Sequence, residues 1–96
     1  MVLEQLTFAV KPEELSKFPA AAAEALKVIR AAKGCISADF RLGVENPNNC
    51  LLSVQWESVD AHMAGFRQSE GIKAFGAALA PFFASKPAME HYGDPI

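Results

Sequence analysis

Four stretches of this chain carry the pattern of a β-strand. Residues 2–10, 35–44 and 50–57 alternate between apolar and polar side chains, so each strand is predicted to bury one face. The second and third stretches flank the turn-forming residues 45–49 and therefore predict a hairpin. A short last strand is predicted at 88–92.

A first helix is predicted between the first two strands. Its apolar residues recur at intervals of three and four: Leu15, Phe18, Ala22, Ala25, Leu26 and Ile29. Pro19 falls inside this pattern, so either the main helix starts there or a helix from Glu13 is kinked. Gly34 is predicted to cap the end of this helix.

A second helical region is predicted after the third strand, with Ser58 as its N-cap and Pro81 at its end. Two apolar faces are expected along it. The first comprises Val59, His62, Met63 and Phe66, and the second comprises Ile72, Phe75, Gly76 and Leu79.

The order β-α-β-β-α-β predicts an α+β, ferredoxin-like domain over residues 1–96, with a four-stranded antiparallel sheet and both helices on one face. On the second strand, the residues expected to face the helices are Ile36, Ala38, Phe40, Leu42 and Val44. The opposite face of the sheet is polar, with Ser37, Asp39, Arg41, Ser53, Gln55 and Glu57, but it also carries Leu3 and Leu51.

Composition excludes several classes of function. The net charge is −2 and no cluster of Lys or Arg occurs, so we expect neither nucleic acid nor an anionic membrane as a partner. No apolar run approaches the ~20 residues that span a bilayer. The N-terminus has no basic segment and carries Glu4 in its apolar run, so it is a poor signal peptide and we expect a cytoplasmic protein.

The two cysteines, Cys35 and Cys50, fall at opposite ends of the predicted hairpin, so their Cα atoms should be too far apart for a disulfide. Neither has a CxxC neighbour. The spacing of His62, His91 and Asp94 does not support a metal site either. Free thiols and no bound metal are therefore expected.

His62 is the first candidate for chemistry. It lies on a predicted apolar face, where it is either a buried histidine bonded to backbone or a pocket donor or base that titrates near neutrality. Trp56 is expected to pack in the core, with an indole N–H that could orient a polar aromatic ligand. The remaining candidates for a binding wall are Phe40, Phe66, Phe75 and His91.

Several short motifs resemble the antibiotic biosynthesis monooxygenase family. They are W-E-S-x-x-A-H from Trp56, G-F-R-x-S from Gly65, L-x-P-F-F from Leu79, K-G-C from Lys33, and the closing E-H-Y. The resemblance covers nearly the whole chain. It implies a homodimer in which two sheets pack face to face as a dimeric α/β barrel, with a pocket between sheet and helices in each subunit.

The same resemblance implies a small aromatic ligand, and members of this superfamily include cofactor-independent monooxygenases, haem-degrading enzymes and isomerases. The haem-degrading branch uses Asn, Trp and His where this chain has Gln5, Phe66 and Gly76. Many family members carry a His at the position of Gly65, whereas His62 lies one turn earlier. Haem degradation is therefore not expected.

The sequence thus predicts a cofactor-independent monooxygenase of quinol-like or anthrone-like molecules, with no cofactor. His62 is the first choice for the base and His91 the second, while Trp56 and the phenylalanines would orient the ligand. Two alternatives stay open. One is a dimeric binding module without catalysis, whose pocket is packed shut, and the other is an isomerase of small metabolites, whose cavity would be more polar.

Overall fold

A computed structural model describes all 96 residues as one antiparallel sheet covered by helices on one face. The four strands are β1 (Val2–Ala9), β2 (Cys35–Leu42), β3 (Asn49–Trp56) and β4 (Ala88–Tyr92). Their order in the sheet is β2-β3-β1-β4, and every neighbouring pair is antiparallel. This arrangement confirms the predicted α+β, ferredoxin-like fold. Within one chain the sheet is open and does not close into a barrel.

Two helices cover the sheet. A 3₁₀ turn at Pro12–Lys17 leads directly into α1 (Phe18–Arg30), and Pro19 occupies its first turn. Of the two predicted alternatives, the main helix therefore starts beside this proline, where no N–H is needed. The second helix, α2 (Glu70–Leu79), ends just before Pro81 as predicted. None of these helices combines the length and the hydrophobicity needed to cross a membrane.

The core lies between the sheet and the helices and is rich in phenylalanine. Phe18 at the start of α1 is 2% exposed and makes edge-to-face contacts with Phe8, Phe40 and Phe82 at centroid distances of 5.5–6.0 Å. Burial of one such side chain contributes about 1.5–3 kcal/mol, and the edge-to-face geometry adds to it. This cluster fixes α1 on the sheet at the end remote from Trp56.

The predicted facing of Ile36 is wrong. A β-bulge lies between Cys35 and Ser37, so that Cys35 pairs with Trp56 while Ser37 already pairs with Gln55. Ile36 is the extra residue, and its side chain is 49% exposed instead of facing the helices. Val44, predicted on the same face, lies beyond the end of β2 and is exposed.

The helical face predicted for residues 59–66 is only half correct. His62 and Phe66 are buried, but Val59 and Met63 are exposed. The reason is local geometry, because Ala61–Gly65 forms a π-helical turn and Phe66–Gln68 a 3₁₀ turn, so the segment departs from α-helical periodicity.

The cysteines behave as predicted. Cys50 pairs with Leu42 next to the hairpin turn, Cys35 pairs with Trp56 at the far end, and both thiols are free. Burial raises the pKa of the Cys50 thiol to about 11, so this group stays protonated and unreactive at neutral pH.

We predict that Gly34→Ala lowers the free energy of unfolding by about 1–3 kcal/mol. Gly34 has φ +87°, and a Cβ added there would lie 2.6 Å from the Cβ of Ala61. Gly76→Ala is the matched control, because a Cβ at this helical position meets nothing within 4 Å. The control should gain up to ~1 kcal/mol. Urea unfolding measures both variants, and equal effects would contradict the prediction.

Candidate functional site

The register of the strands gathers three polar side chains on the helix-facing side of the sheet. In the β1–β4 pair Glu4 lies opposite His91, and in the β1–β3 pair Val2 lies opposite Trp56. Glu4 and Trp56 are therefore diagonal neighbours, two residues apart along the ladder, within reach of long side chains. Glu4 was expected only to interrupt an apolar run, yet the structure places it at the centre of the site.

Glu4 and Trp56 form a buried hydrogen bond. The indole Nε1–H of Trp56 donates to Oε1 of Glu4 at 2.9 Å, and the two residues are 0% and 4% exposed respectively. A buried carboxyl group without a partner would be strongly unfavourable, so this bond offsets part of its desolvation. Trp56 is a core residue, as predicted, but its N–H is committed to Glu4 and not left for a ligand.

His62 reaches this pair from the π-helical turn above the sheet. Ser58 anchors the start of the turn, because its Oγ accepts a hydrogen bond from the backbone N–H of Ala61 at 3.0 Å. The imidazole of His62 stacks on the Trp56 indole at a centroid distance of 5.0 Å and an angle of 15°. Its position is therefore fixed by both the backbone and an aromatic face.

Both nitrogens of His62 have polar neighbours. Nδ1 lies 2.8 Å from Nε2 of His91, and Nε2 lies 3.4 Å from Oε1 of Glu4. Trp56, Glu4, His62 and His91 thus form one continuous chain of polar contacts, which we call the Glu4–His91 chain. It runs from the buried end of β3 to the half-buried His91 on the edge strand β4.

Burial shifts the two buried acid–base groups in opposite directions. Desolvation raises the pKa of the Glu4 carboxyl above its ordinary value, although the Trp56 hydrogen bond and the charges of His91 and Arg67 oppose this. Desolvation, together with the same two charges, lowers the pKa of His62 to about 4. His62 is therefore neutral at neutral pH, and its contact with Glu4 is not an ion pair with an imidazolium.

A cavity of about 350 Å³ lies beside this chain, between the sheet and the helical segments. Its polar lining consists of Glu4, His62 and Arg67, and Arg67 is exposed and therefore lies at the rim. The rest of the lining is Leu6, Ile29, Phe66, Ile72, Phe75, Phe83, Pro87 and Met89. The cavity is large enough for a small ligand and mostly apolar, with charge at one end.

The structure brings some of the predicted site residues together and separates others. His62, Phe66 and Phe75 line the cavity, and Trp56 and His91 touch His62 without lining it. Phe40 does not reach the site, because it packs against Phe18 on the other side of the core. Glu4 is the residue that sequence reasoning missed.

Other parts of the molecule offer less for chemistry. A larger hollow of about 610 Å³ includes Arg41, Asn49 and Lys86, but these side chains are exposed, and the one buried titratable group that lines it is the Cys50 thiol, which stays protonated at neutral pH. No group of three or more His, Cys, Asp or Glu residues is arranged to hold a metal ion. The cavity beside Glu4 and His62 is accordingly the candidate site.

Comparison with known proteins agrees with this architecture. The family model described as antibiotic biosynthesis monooxygenase matches residues 1–78. The chain belongs to this family. A relative from Bacillus subtilis, the uncharacterized protein YczJ, is 31% identical over 94 residues, which cover 98% of this chain and 99% of the relative.

Solved structures of family members share the fold. One is a crystal structure from Bordetella bronchiseptica, provisionally named an antibiotic biosynthesis monooxygenase. It is 29% identical in sequence and has a TM-score of 0.92, and the match covers 99% of this chain and 97% of that protein. A similarly named protein from Caulobacter crescentus is 19% identical, with a TM-score of 0.84 and coverage of 99% and 90% of the two chains, and shows the fold alone.

We predict that acid destabilises this family member through His62. The pKa of His62 is 6.5 in the unfolded chain and about 4 in the folded chain, so between these pH values only the unfolded chain binds a proton at this residue. The free energy of unfolding therefore falls by up to ~3 kcal/mol as the pH is lowered through this range. Glu4 acts in the opposite sense, because its raised pKa stabilises the fold below 4.5 and this contribution is lost as pH rises.

Urea unfolding across this pH range tests the prediction. His62→Gln should flatten the acid side of the profile, and Glu4→Gln should make it steeper. The difference in slope between each variant and the wild type gives the contribution of the replaced residue together with its coupling to His91 and Arg67. An unchanged slope in His62→Gln would show that another group causes the acid sensitivity.

Proposed function

We propose that this protein is a cofactor-independent monooxygenase acting on a small, electron-rich aromatic molecule of the quinol or anthrone class. Family membership supports oxygenase chemistry. The observation that carries the proposal is the open, mostly apolar cavity with a carboxyl and a neutral imidazole at one end. An apolar wall suits a flat aromatic molecule, and the polar end suits removal of its proton.

The proposed reaction balances without a further reductant. For an anthrone-like methylene, one C–H proton is removed to give a stabilised carbanion, and this carbon attacks O₂. The second C–H hydrogen passes to the outer oxygen as the O–O bond cleaves, so one oxygen atom becomes the ketone oxygen and the other leaves as hydroxide, which takes up one proton to become water. The substrate supplies all the electrons. The protein has to hold the substrate, accept its proton and exclude bulk water.

The alternatives fit the cavity less well. A module whose pocket is packed shut would have Trp56 and phenylalanine side chains in place of the open space of about 350 Å³. An isomerase of polar metabolites would need several donors, whereas Glu4, His62 and Arg67 are the only lining residues with ionisable side chains. A binding protein without catalysis would share this cavity, and turnover is what distinguishes it.

We predict that filling the cavity abolishes turnover without unfolding the protein. Met89 is half-buried on β4, lies opposite Leu6 and lines the cavity, so Met89→Trp should occupy the space of the substrate ring. The wild type should consume about one O₂ per anthrone or quinol oxidised in the presence of a metal chelator. The variant should lose at least ~90% of this rate, with an unchanged circular dichroism spectrum.

The matched control is Val44→Trp, which adds the same ring at a position 90% exposed and outside the site. It should retain wild-type turnover. Oxygen uptake that fails for every quinol and anthrone tested with the wild type would refute the proposed function, and equal activity in Met89→Trp would refute the proposed cavity.

We further propose that two chains associate through the uncovered face of the sheet. Leu3 and Leu51 are half-buried on this face in the single chain, among polar side chains such as Gln55 and Glu90. A second sheet packed there would bury these leucines and supply the partner that the resemblance implies. Stable interfaces of this kind bury about 1,200–2,000 Å² in total.

Leu51→Arg is predicted to convert this dimer into a monomer, because a second sheet would force an unpaired charge into the interface. Sedimentation velocity at micromolar concentration measures the change. Val44→Arg adds the same charge on an exposed loop residue and should leave the dimer intact. A wild-type monomer at this concentration would contradict the proposal.

A further inference from the structure

We infer that Glu4, rather than His62, accepts the proton from the substrate, and that His62 and His91 conduct this proton from the cavity toward solvent. The inference rests on the proposed oxygenase function and assigns the acid–base roles within it. Three observations carry it: the free oxygen of Glu4, the engaged nitrogens of His62, and the half-buried position of His91.

Glu4 has one committed and one free oxygen. Every polar contact of this side chain uses Oε1, which accepts from Trp56 and faces His62. Oε2 has no hydrogen-bond partner, whereas every fully buried side-chain oxygen in the molecule has one. Oε2 therefore retains accessible surface, and since Glu4 lines the cavity, this oxygen is available to a substrate proton. Trp56 acts as a positioning residue that fixes the carboxyl plane.

His62 has no nitrogen left for a substrate. Nδ1 is engaged with His91 at 2.8 Å, Nε2 faces Glu4 at 3.4 Å, and one ring face is covered by Trp56. Its environment also favours the neutral form, since burial, His91 and Arg67 all oppose a positive charge there. A group so placed can pass a proton between its two nitrogens but is poorly suited to hold one.

The Glu4–His91 chain provides a path for the proton. A C–H or O–H bond of the substrate breaks as an O–H bond forms on Glu4. Because Oε1 and not Oε2 faces His62, a half-turn of the carboxyl within its plane first exchanges the two oxygens. The protonated oxygen then gives its proton to Nε2 of His62 while Nδ1–H of His62 gives its own to Nε2 of His91. His91 leaves this state by releasing a proton to water. When the outer oxygen of the peroxide departs as hydroxide, the same transfers run in reverse, so a proton that His91 takes from water reaches the hydroxide through His62 and Glu4, and the starting tautomer of His62 is restored.

The charged and titratable groups around Glu4 come from each element packed against it. His62 approaches from the π-helical turn, Arg67 from the 3₁₀ turn and His91 from β4. The Cys35 thiol on β2 is coupled electrostatically to Glu4, but its pKa is raised and it remains neutral. Arg67 at the rim opposes the protonation of both buried groups and favours an anion in the cavity.

Glu4→Gln tests the assignment, because the amide oxygen can still accept the Trp56 hydrogen bond while the proton acceptor is lost. We expect kcat to fall at least ~100-fold with KM changed less than ~3-fold. His62→Gln should also slow turnover, but this loss should become smaller as the buffer concentration is raised, because small buffer bases can carry the proton away when its path through His62 is blocked. Glu13→Gln, an exposed carboxyl remote from the cavity, is the control and should retain full activity.

Binding of anthrone without oxygen separates the two assignments. The bound anion and the neutral ketone differ in absorption. We expect the anion in wild type and in His62→Gln, and the neutral ketone in Glu4→Gln at similar affinity. The anion in Glu4→Gln, or its loss in His62→Gln alone, would overturn the inference in favour of His62.

If no substrate is oxidised, the proposed function is refuted, but the acid–base assignment of Glu4 can still be tested on the protein without substrate. Carboxyl resonances of ¹³C-labelled glutamate, assigned by their loss in Glu4→Gln, report the titration of Glu4 directly. A titration midpoint above that of Glu13 that shifts in His91→Gln supports the proton path. A midpoint at or below that of Glu13 overturns it, because such a carboxyl could not hold the proton of a substrate.

Discussion

One buried carboxyl group determines how this molecule is built around its cavity. Glu4 projects from β1 into a core that is otherwise almost entirely apolar, with the imidazole of His62 as the one other buried polar residue. Such a group is tolerated only where donors meet it, so the Trp56 indole must lie at the end of β3 and His62 must stack above it. The contacts that make burial of Glu4 possible are therefore the same contacts that position the acid–base groups of the candidate site.

The fold could be predicted from local patterns because alternation and helical spacing reflect burial directly. The site could not, because it depends on which residues of distant strands lie opposite each other. Only the β1–β4 register places Glu4 beside His91. A weaker signal was present, since Glu4 falls in phase with Leu6 and Phe8 on the helix-facing side of β1. A charged residue in phase with a buried row therefore marks a candidate site residue.

The remaining differences arise where the backbone departs from regular geometry. One extra residue at the bulge turns Ile36 out of the row that Ala38 continues, and no alternation pattern contains that residue. The π-helical turn after Ser58 likewise buries His62 while exposing its predicted neighbour Met63. Both departures flank Trp56 in space, so the backbone irregularities concentrate around the candidate site, as is common where function opposes regular structure.

The same burial acts oppositely on an acid and a base, and this divides the work between Glu4 and His62. A low dielectric disfavours charge on either group, so the carboxyl gains affinity for a proton while the imidazole loses it. A proton entering from the cavity therefore stays longer on Glu4 than on His62, and it moves on only because His91 lies 2.8 Å beyond, nearer to solvent. Because burial moves the pKa values of Glu4 and His62 in opposite directions, Glu4 can serve as the proton acceptor and His62 as the group that passes the proton on. The same two groups in water would lack these shifts and would not divide the roles in this way.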